Sequence, residues 1–175
     1  TYDYGIPPAN PFVADPTALG EIFAYGFRNA HRFSWDPDGV VVEPLVSDIG
    51  QGNFEEINRL IPGANYGWPL REGNLALDVL VDAEVVFPLP ANDATFGFTY
   101  PVALYDHDTG AAISSGFINR NTTGGPLDNK FVTGDIVSGQ FFYSDVAEML
   151  AADDDDPSTT AQVYELNLAY QGQQR

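Results

Sequence analysis

Seventeen glycines and thirteen prolines interrupt a chain of 175 residues every few positions, and the stretches between them are short apolar or alternating runs. Both observations predict an all-β fold, in a sandwich, a barrel or a propeller. A third supports them: no segment sustains a helical period beyond about two turns.

Taken in order, residues 2–12 read as loop, with Ile6-Pro-Pro8 and Asn10-Pro-Phe12, and begin as if a preceding strand were missing. Strands are expected over 20–27, 32–35 and 40–46, the last two separated by the turn signal Pro37-Asp-Gly39. Residues 54–60, with acids near their start, are the best helix candidate. Residues 71–100 read as a long surface loop with a short strand at 84–88. Further strands are expected over 111–118, 130–133, 140–143 and 162–168, punctuated by Asp108-Thr-Gly110, Gly134-Asp135 and Ser138-Gly139. The acid run from Asp153 to Asp156 reads as a solvated hairpin tip, with calcium binding as the alternative. No linker or domain boundary interrupts residues 1–175. The chain starts at Thr1 with no initiator methionine or apolar leader, which suggests a processed product or a piece of a larger protein.

Composition narrows the function. With 25 acids, six arginines and one lysine the net charge is −18. That excludes nucleic acid, which needs a basic footprint, and disfavours an anionic membrane surface. No apolar run is long enough to cross a bilayer. No cysteine is present, so disulfides, thiolate metal sites and cysteine nucleophiles are ruled out.

The most informative stretch runs from Asp48 to Pro69. It contains the turn Gly50-Gln51-Gly52, the paired carboxylates Glu55 and Glu56, and Asn65-Tyr66-Gly67-Trp68-Pro69. Carbonyls exposed by a turn, carboxylates and a tyrosine are hard oxygen donors, suited to calcium rather than to zinc or copper. Upstream, Arg28 and Asn29 add a guanidinium and an amide. A cation beside an arginine is a means of gripping a carboxylate-rich ligand. The alternatives are a structural ion pair for Arg28, and a helix start with a packed tyrosine for Glu55, Glu56 and Tyr66.

Together these segments resemble the glucose/sorbosone dehydrogenase family, soluble quinoproteins that use pyrroloquinoline quinone (PQQ). The resemblance rests on Ala24-Tyr-Gly-Phe-Arg-Asn29, on Asp48-Ile-Gly50 leading to Glu55-Glu-Ile-Asn58, and on Gly63-Ala-Asn-Tyr-Gly-Trp-Pro69. Downstream, Pro101–Asp108, Ala112–Arg120 and Lys130–Asp135 continue it in register. It implies a six-bladed β-propeller of which this chain is the C-terminal half. A blade takes about 40–50 residues, so the chain would supply about three or four, the remaining blades coming from the same or another polypeptide.

The resemblance also implies roles. Arg28, Asn29 and Arg120 would contact PQQ. Gly50 and Gln51 would offer carbonyls to the calcium that polarises the quinone, with Glu55, Glu56 and Tyr66 around that turn and a second calcium. The family often has proline where Gln51 stands. Its general base, a histidine in a His-Asn-Gly-Gly motif, has no counterpart here, so no catalytic residue is expected in this chain; His31 and His107 are not that base. The implied activity is oxidation of an aldose or related sugar in an extracellular or periplasmic setting. A non-catalytic, calcium-stabilised propeller that binds a partner, or an acidic structural domain, is the alternative.

Overall fold

The computed structural model describes residues 4–154, 156–170 and 173–174. Residues 2 and 3 of the expected N-terminal loop and Asp155 of the acid run lie outside the described residues. The strands are β1 (Ala30–Ser34), β2 (Leu45–Asp48), β3 (Phe54–Arg59), β4 (Arg71–Glu72), β5 (Leu75–Asp78), β6 (Asp82–Phe87), β7 (Ala103–Asp106), β8 (Ile113–Asn119), β9 (Lys130–Asp135), β10 (Phe141–Asp145), β11 (Tyr164–Glu165), β12 (Ala169–Tyr170) and β13 (Gln173–Gln174). Helix α1 (Val146–Ala151) follows β10 directly.

Two four-stranded antiparallel sheets carry the architecture, in the orders β1-β2-β3-β7 and β8-β9-β10-β11. Each is a meander of neighbouring strands, the unit of a propeller blade. Between β3 and β7 the chain makes the three-stranded sheet β4-β5-β6, and β12 pairs with β13 near the end. The expected all-β partial propeller is the observed fold.

Alternation explains why the second blade forms where it does. Along β9, Phe131, Thr133 and Asp135 are buried while Lys130, Val132 and Gly134 are half-exposed, the period of two that a pleated strand imposes. The inward set meets Leu45, Ile57, Val102, Ala103 and Tyr105 of the first blade, with Ile113, Ile118 and Phe142 completing the core. Gly116 on β8 makes room for the core ring of Phe131 on the neighbouring strand β9: a Cβ there would stand 2.1 Å from that ring. Helix α1 is capped by Asp145, whose side chain accepts from Ala147 N at 2.8 Å, and it buries Val146 and Met149 under the same core.

Polar ties, as well as the apolar core, join the blades. Asp135 Oδ2 accepts from Tyr105 Oη (3.0 Å) and Ala112 N (2.8 Å). Arg120 grips Asp36 through Nε and Nη2, at 2.9 and 2.7 Å, and reaches Asn129 through Nη1. Arg59 spans from Glu43 to Asp153.

Three expectations are corrected. The expected helix over 54–60 is instead strand β3 (Phe54–Arg59), because Glu55 and Glu56 find main-chain donors on opposite faces of the sheet, and tertiary pairing overrides local preference. The expected loop 71–100 holds β4 and β5 beside the expected strand at 84–88, which is β6. The sheet is anchored by Arg71, which is buried against Asp93 and lies over Phe96 and Phe98. Residues 20–27 form no strand but turns and one bridge, Tyr25 to Asn65.

The Arg120–Asp36 pair yields a prediction. The Asp36 carboxylate is fully buried, and Arg120 holds it well below the usual carboxylate range. A carboxylate depressed on folding stabilises the protein above its unfolded pKa of about 4, and that contribution is lost as pH falls through the folded value. Arg120→Gln in the intact protein is expected to cost about 3–5 kcal/mol and to move acid unfolding to higher pH, because a buried charge is left unpaired. Denaturant titrations at pH 7 and pH 4 measure both effects.

Candidate functional site

The site is built on the turn between β2 and β3. Glu72, at the end of β4, is 1 % exposed, and its carboxylate lies under this turn. Oε1 accepts from the main-chain N–H groups of Gln51 (2.8 Å), Gly52 (2.9 Å), Asn53 (2.8 Å) and Phe54 (3.2 Å). Oε2 accepts from the Asn53 side-chain amide at 2.9 Å. Successive N–H groups converging on one anion form a nest. A trans peptide is planar, with its C=O antiparallel to its N–H. The carbonyls of Gly50, Gln51, Gly52 and Asn53 therefore point away from Glu72. Gly50 is required where the turn closes: a Cβ there would lie 1.7 Å from the Phe54 carbonyl oxygen and 2.8 Å from Glu72.

Asp48 sets the neighbouring segment in place. Its Oδ2 accepts from Arg28 N at 3.0 Å and its Oδ1 from Asn29 N at 2.6 Å. The Arg28 guanidinium donates to Gln51 Oε1 (2.9 Å) and to the Ile49 carbonyl (3.1 Å), and lies over the Trp68 ring, 5.8 Å from its centroid. Such placement adds a cation–π contribution to the hydrogen bonds. Gln51 also donates through Nε2 to Glu84 of β6 at 3.1 Å, so one amide bridges Arg28 and the small sheet. A proline at this position could make neither bond.

The third motif is tied to the first by backbone. Tyr66 N donates to Tyr25 O and Trp68 N to Gly26 O, at 2.9 and 2.8 Å, while Tyr25 N donates to Ala64 O at 3.1 Å. Three stretches far apart in sequence, 24–29, 48–54 and 63–69, thus meet in one place. Arg28, Asn29, Gly50 and Gln51 lie together there.

The remaining expected residues are committed elsewhere. Glu56 is buried beneath the site, accepting from Gly73 N (2.6 Å) and the Asn58 amide (3.0 Å). Burial, and then the charges of Asp48 and Glu72, push its pKa up to about 8. Glu55 points to the opposite face, between the blades, accepting from Ile113 N at 2.9 Å and meeting His107 Nε2 at 2.7 Å. Burial raises its pKa too. Tyr66 stacks on Phe27 at 4.1 Å, and its hydroxyl is engaged by Arg59 O and Ile61 N. Arg120 serves the Asp36 pair. Among the described residues no group of three or more His, Asp or Glu side chains is arranged to hold a metal. The donors the turn offers are main-chain oxygens.

Sequence reasoning missed Glu72 and the part of Asp48. Glu72 stands between Arg71 and Gly73 with no pattern around it, and only the fold shows which four amides it receives. Asp48 carried a signal, as the acid opening the Asp48-Ile-Gly50 motif.

Fold and site define a propeller protein whose blade-edge turn offers carbonyls beside an arginine. The chain belongs to the glucose/sorbosone dehydrogenase family, whose model, described as Glucose / Sorbosone dehydrogenase, matches residues 1–154. It is 31% identical over 131 residues to the HIPL2 protein of Arabidopsis thaliana, covering 69% of this chain and 17% of that one. It is 37% identical over 70 residues to the aldose sugar dehydrogenase YliI of Escherichia coli, covering 37% of this chain and 17% of that one. The chain spans less than a fifth of the length of these curated relatives. Its fold is similar to that of the PQQ-bound aldose sugar dehydrogenase of Streptomyces coelicolor, with a TM-score of 0.56 and 21% identity over 92% of this chain and 35% of that one. The architecture is thus part of a propeller of the quinoprotein sugar dehydrogenase type. Among the described residues no helix is long and apolar enough to cross a membrane.

Gly50→Ala is expected to force the turn open, because the new methyl group collides with backbone rather than with a side chain. The cost expected from overpacking is about 2–3 kcal/mol. Denaturant unfolding of the intact protein measures it, and an unchanged midpoint would show that the turn is not built this way.

Proposed function

We propose that this chain supplies the calcium-holding part of a PQQ-dependent dehydrogenase that oxidises an aldose or related sugar. One observation carries the reading: the carbonyls of Gly50, Gln51 and Gly52 face away from Glu72 in the turn that also holds the Arg28 guanidinium, while the Asn53 carbonyl accepts from His107 N. Hard, uncharged oxygens held in a fixed array suit calcium. Gly50 and Gln51 are the residues that would hold it, and Gly50 makes the array possible because the space its side chain would fill is already taken.

When bound, PQQ supplies a two-electron acceptor, and calcium supplies Lewis acidity that polarises it. The residues of this chain bind and orient. Arg28, fixed by Gln51, Ile49 and Trp68, places positive charge where a cofactor carboxylate or a developing oxyanion is neutralised. Asp48 holds the Arg28–Asn29 backbone and so fixes where that charge lies. Removing the proton from the sugar hydroxyl falls to a histidine outside this chain. The His107 side chain, tied to Glu55 between the blades, is not placed for it. The partners of the chain are then its sugar substrate and the remaining propeller blades, in an extracellular or periplasmic compartment.

A second reading has its own support. The match to the plant HIPL2 protein covers far more of this chain than the match to the aldose dehydrogenase does. The same calcium-bearing turn would then stabilise a non-catalytic propeller that binds a partner.

Titration of the full-length protein with PQQ and calcium, followed by dye reduction with aldoses, separates the two. The enzyme reading predicts quinone binding and sugar-dependent reduction. It also predicts that Arg28→Ala weakens PQQ binding about 10–100-fold, the loss expected for a charge-assisted hydrogen bond. Absence of quinone binding at saturating calcium would leave only the binding module.

A further inference from the structure

We propose that Glu72 is the positioning residue that sets the cation-binding turn in its binding-competent shape before any cation arrives, and that the small sheet β4-β5-β6 exists in this fold to deliver it. The proposal rests on the calcium reading above and deepens it.

The argument begins with an electrostatic difficulty. Peptide carbonyls turned toward one side align their dipoles and place partial negative charges near one another, which is unfavourable without a cation. The same planes turn their N–H groups to the other side, where they too stand close together. A full negative charge on the N–H side offsets both effects at once. Glu72 provides that charge, with four main-chain donors on one oxygen and the Asn53 amide on the other. Charge-assisted bonds of this kind are about twice as strong as neutral ones. The carboxylate is buried, so water does not compete for it.

The supporting sheet holds the turn at two points. Glu72 belongs to β4, and β6 contributes Glu84, which accepts from the Gln51 side chain and lies so close to Gly52 that a Cβ there would stand 2.3 Å from its carboxylate. A three-stranded insertion between the third and fourth strands of a blade is otherwise unexplained by the blade itself. Its strands β4 and β6 bracket the turn, and its remaining strand β5 joins them. Glu72 touches no ligand in this account. It acts through the backbone, and its negative charge also adds long-range attraction for a divalent ion on the far side of the peptide planes.

The experiment uses the full-length protein and calcium alone. Hydrogen exchange of the 51–54 amides in wild type is measured first in chelator and then in calcium. Preorganisation predicts that these amides are already protected in chelator and change little on adding calcium; protection that appears only with calcium overturns the proposal. Calorimetric titration of Glu72→Gln, which keeps the shape and removes the charge, is then compared with wild type. The expected result is calcium affinity weakened about 10–100-fold, as for other residues that support metal ligands, with faster exchange confined to 51–54 and unchanged exchange in β8–β10. Wild-type affinity in Glu72→Gln overturns the proposal while leaving the calcium reading intact. A wild-type protein that binds no calcium overturns both, and the wild-type trace alone identifies that case.

Discussion

The contact between the Glu72 carboxylate and the N–H groups of residues 51–54 decides the direction of every peptide plane in the turn that the site depends on. Reverse those planes and the carbonyls of Gly50 and Gln51 would face the protein instead of the space beside Arg28. The position of Arg28 depends on the same turn, since both its side-chain acceptors, Gln51 and Ile49, lie in or beside it. Asp48 completes the arrangement from below by holding the Arg28–Asn29 backbone. Two buried anions thus organise three stretches that are distant in sequence.

Buried acids recur throughout the structure, and each has work to do. Glu55 joins the two blades through Ile113 N and Asp135 through the Tyr105 hydroxyl, Asp36 holds Arg120, and Glu56 receives Gly73 beneath the site. Isolated carboxylates in an interior are costly unless hydrogen-bonded or paired, and these are satisfied largely by backbone donors and a few arginines. Asp36, Asp48, Glu55, Glu56, Glu72 and Asp135, among the acids that make the chain so negative, are therefore structural elements rather than surface charge. The raised pKa of Glu56 reflects first its burial and then the nearby charges of Asp48 and Glu72.

Much of the second blade was legible, because its strands alternate and their partners are neighbours in sequence. Lys130–Asp135 shows one buried face and one open face, as the pattern predicts. The first blade was harder. In Phe54–Arg59 both faces are covered, so acids occupy positions that a simple alternation would reserve for apolar groups, and the segment resembled a helix start. Strands β4 and β5 were hidden in a stretch that read as loop, whereas β6 was expected at 84–88. At the site, the turn itself was visible as Gly50-Gln51-Gly52, and in the fold Arg28 and Asn29 lie next to it. Arg120 pairs with Asp36, a partner distant in the chain that nothing local indicates. Glu72 was invisible for the same reason: what it does is specified by contacts between β4 and a turn some twenty residues earlier.

The central claim is that the carboxylate shapes the turn while its carbonyls hold the cation. A crystal structure of the full-length protein grown with calcium tests it most directly, through the anomalous signal of the ion. The account predicts calcium bound by the carbonyl oxygens of Gly50 and Gln51, at about 2.3–2.6 Å, with Glu72 still accepting the four N–H groups on the opposite side. Calcium coordinated by the Glu72 carboxylate itself, or a turn left without calcium at saturating concentration, would contradict it.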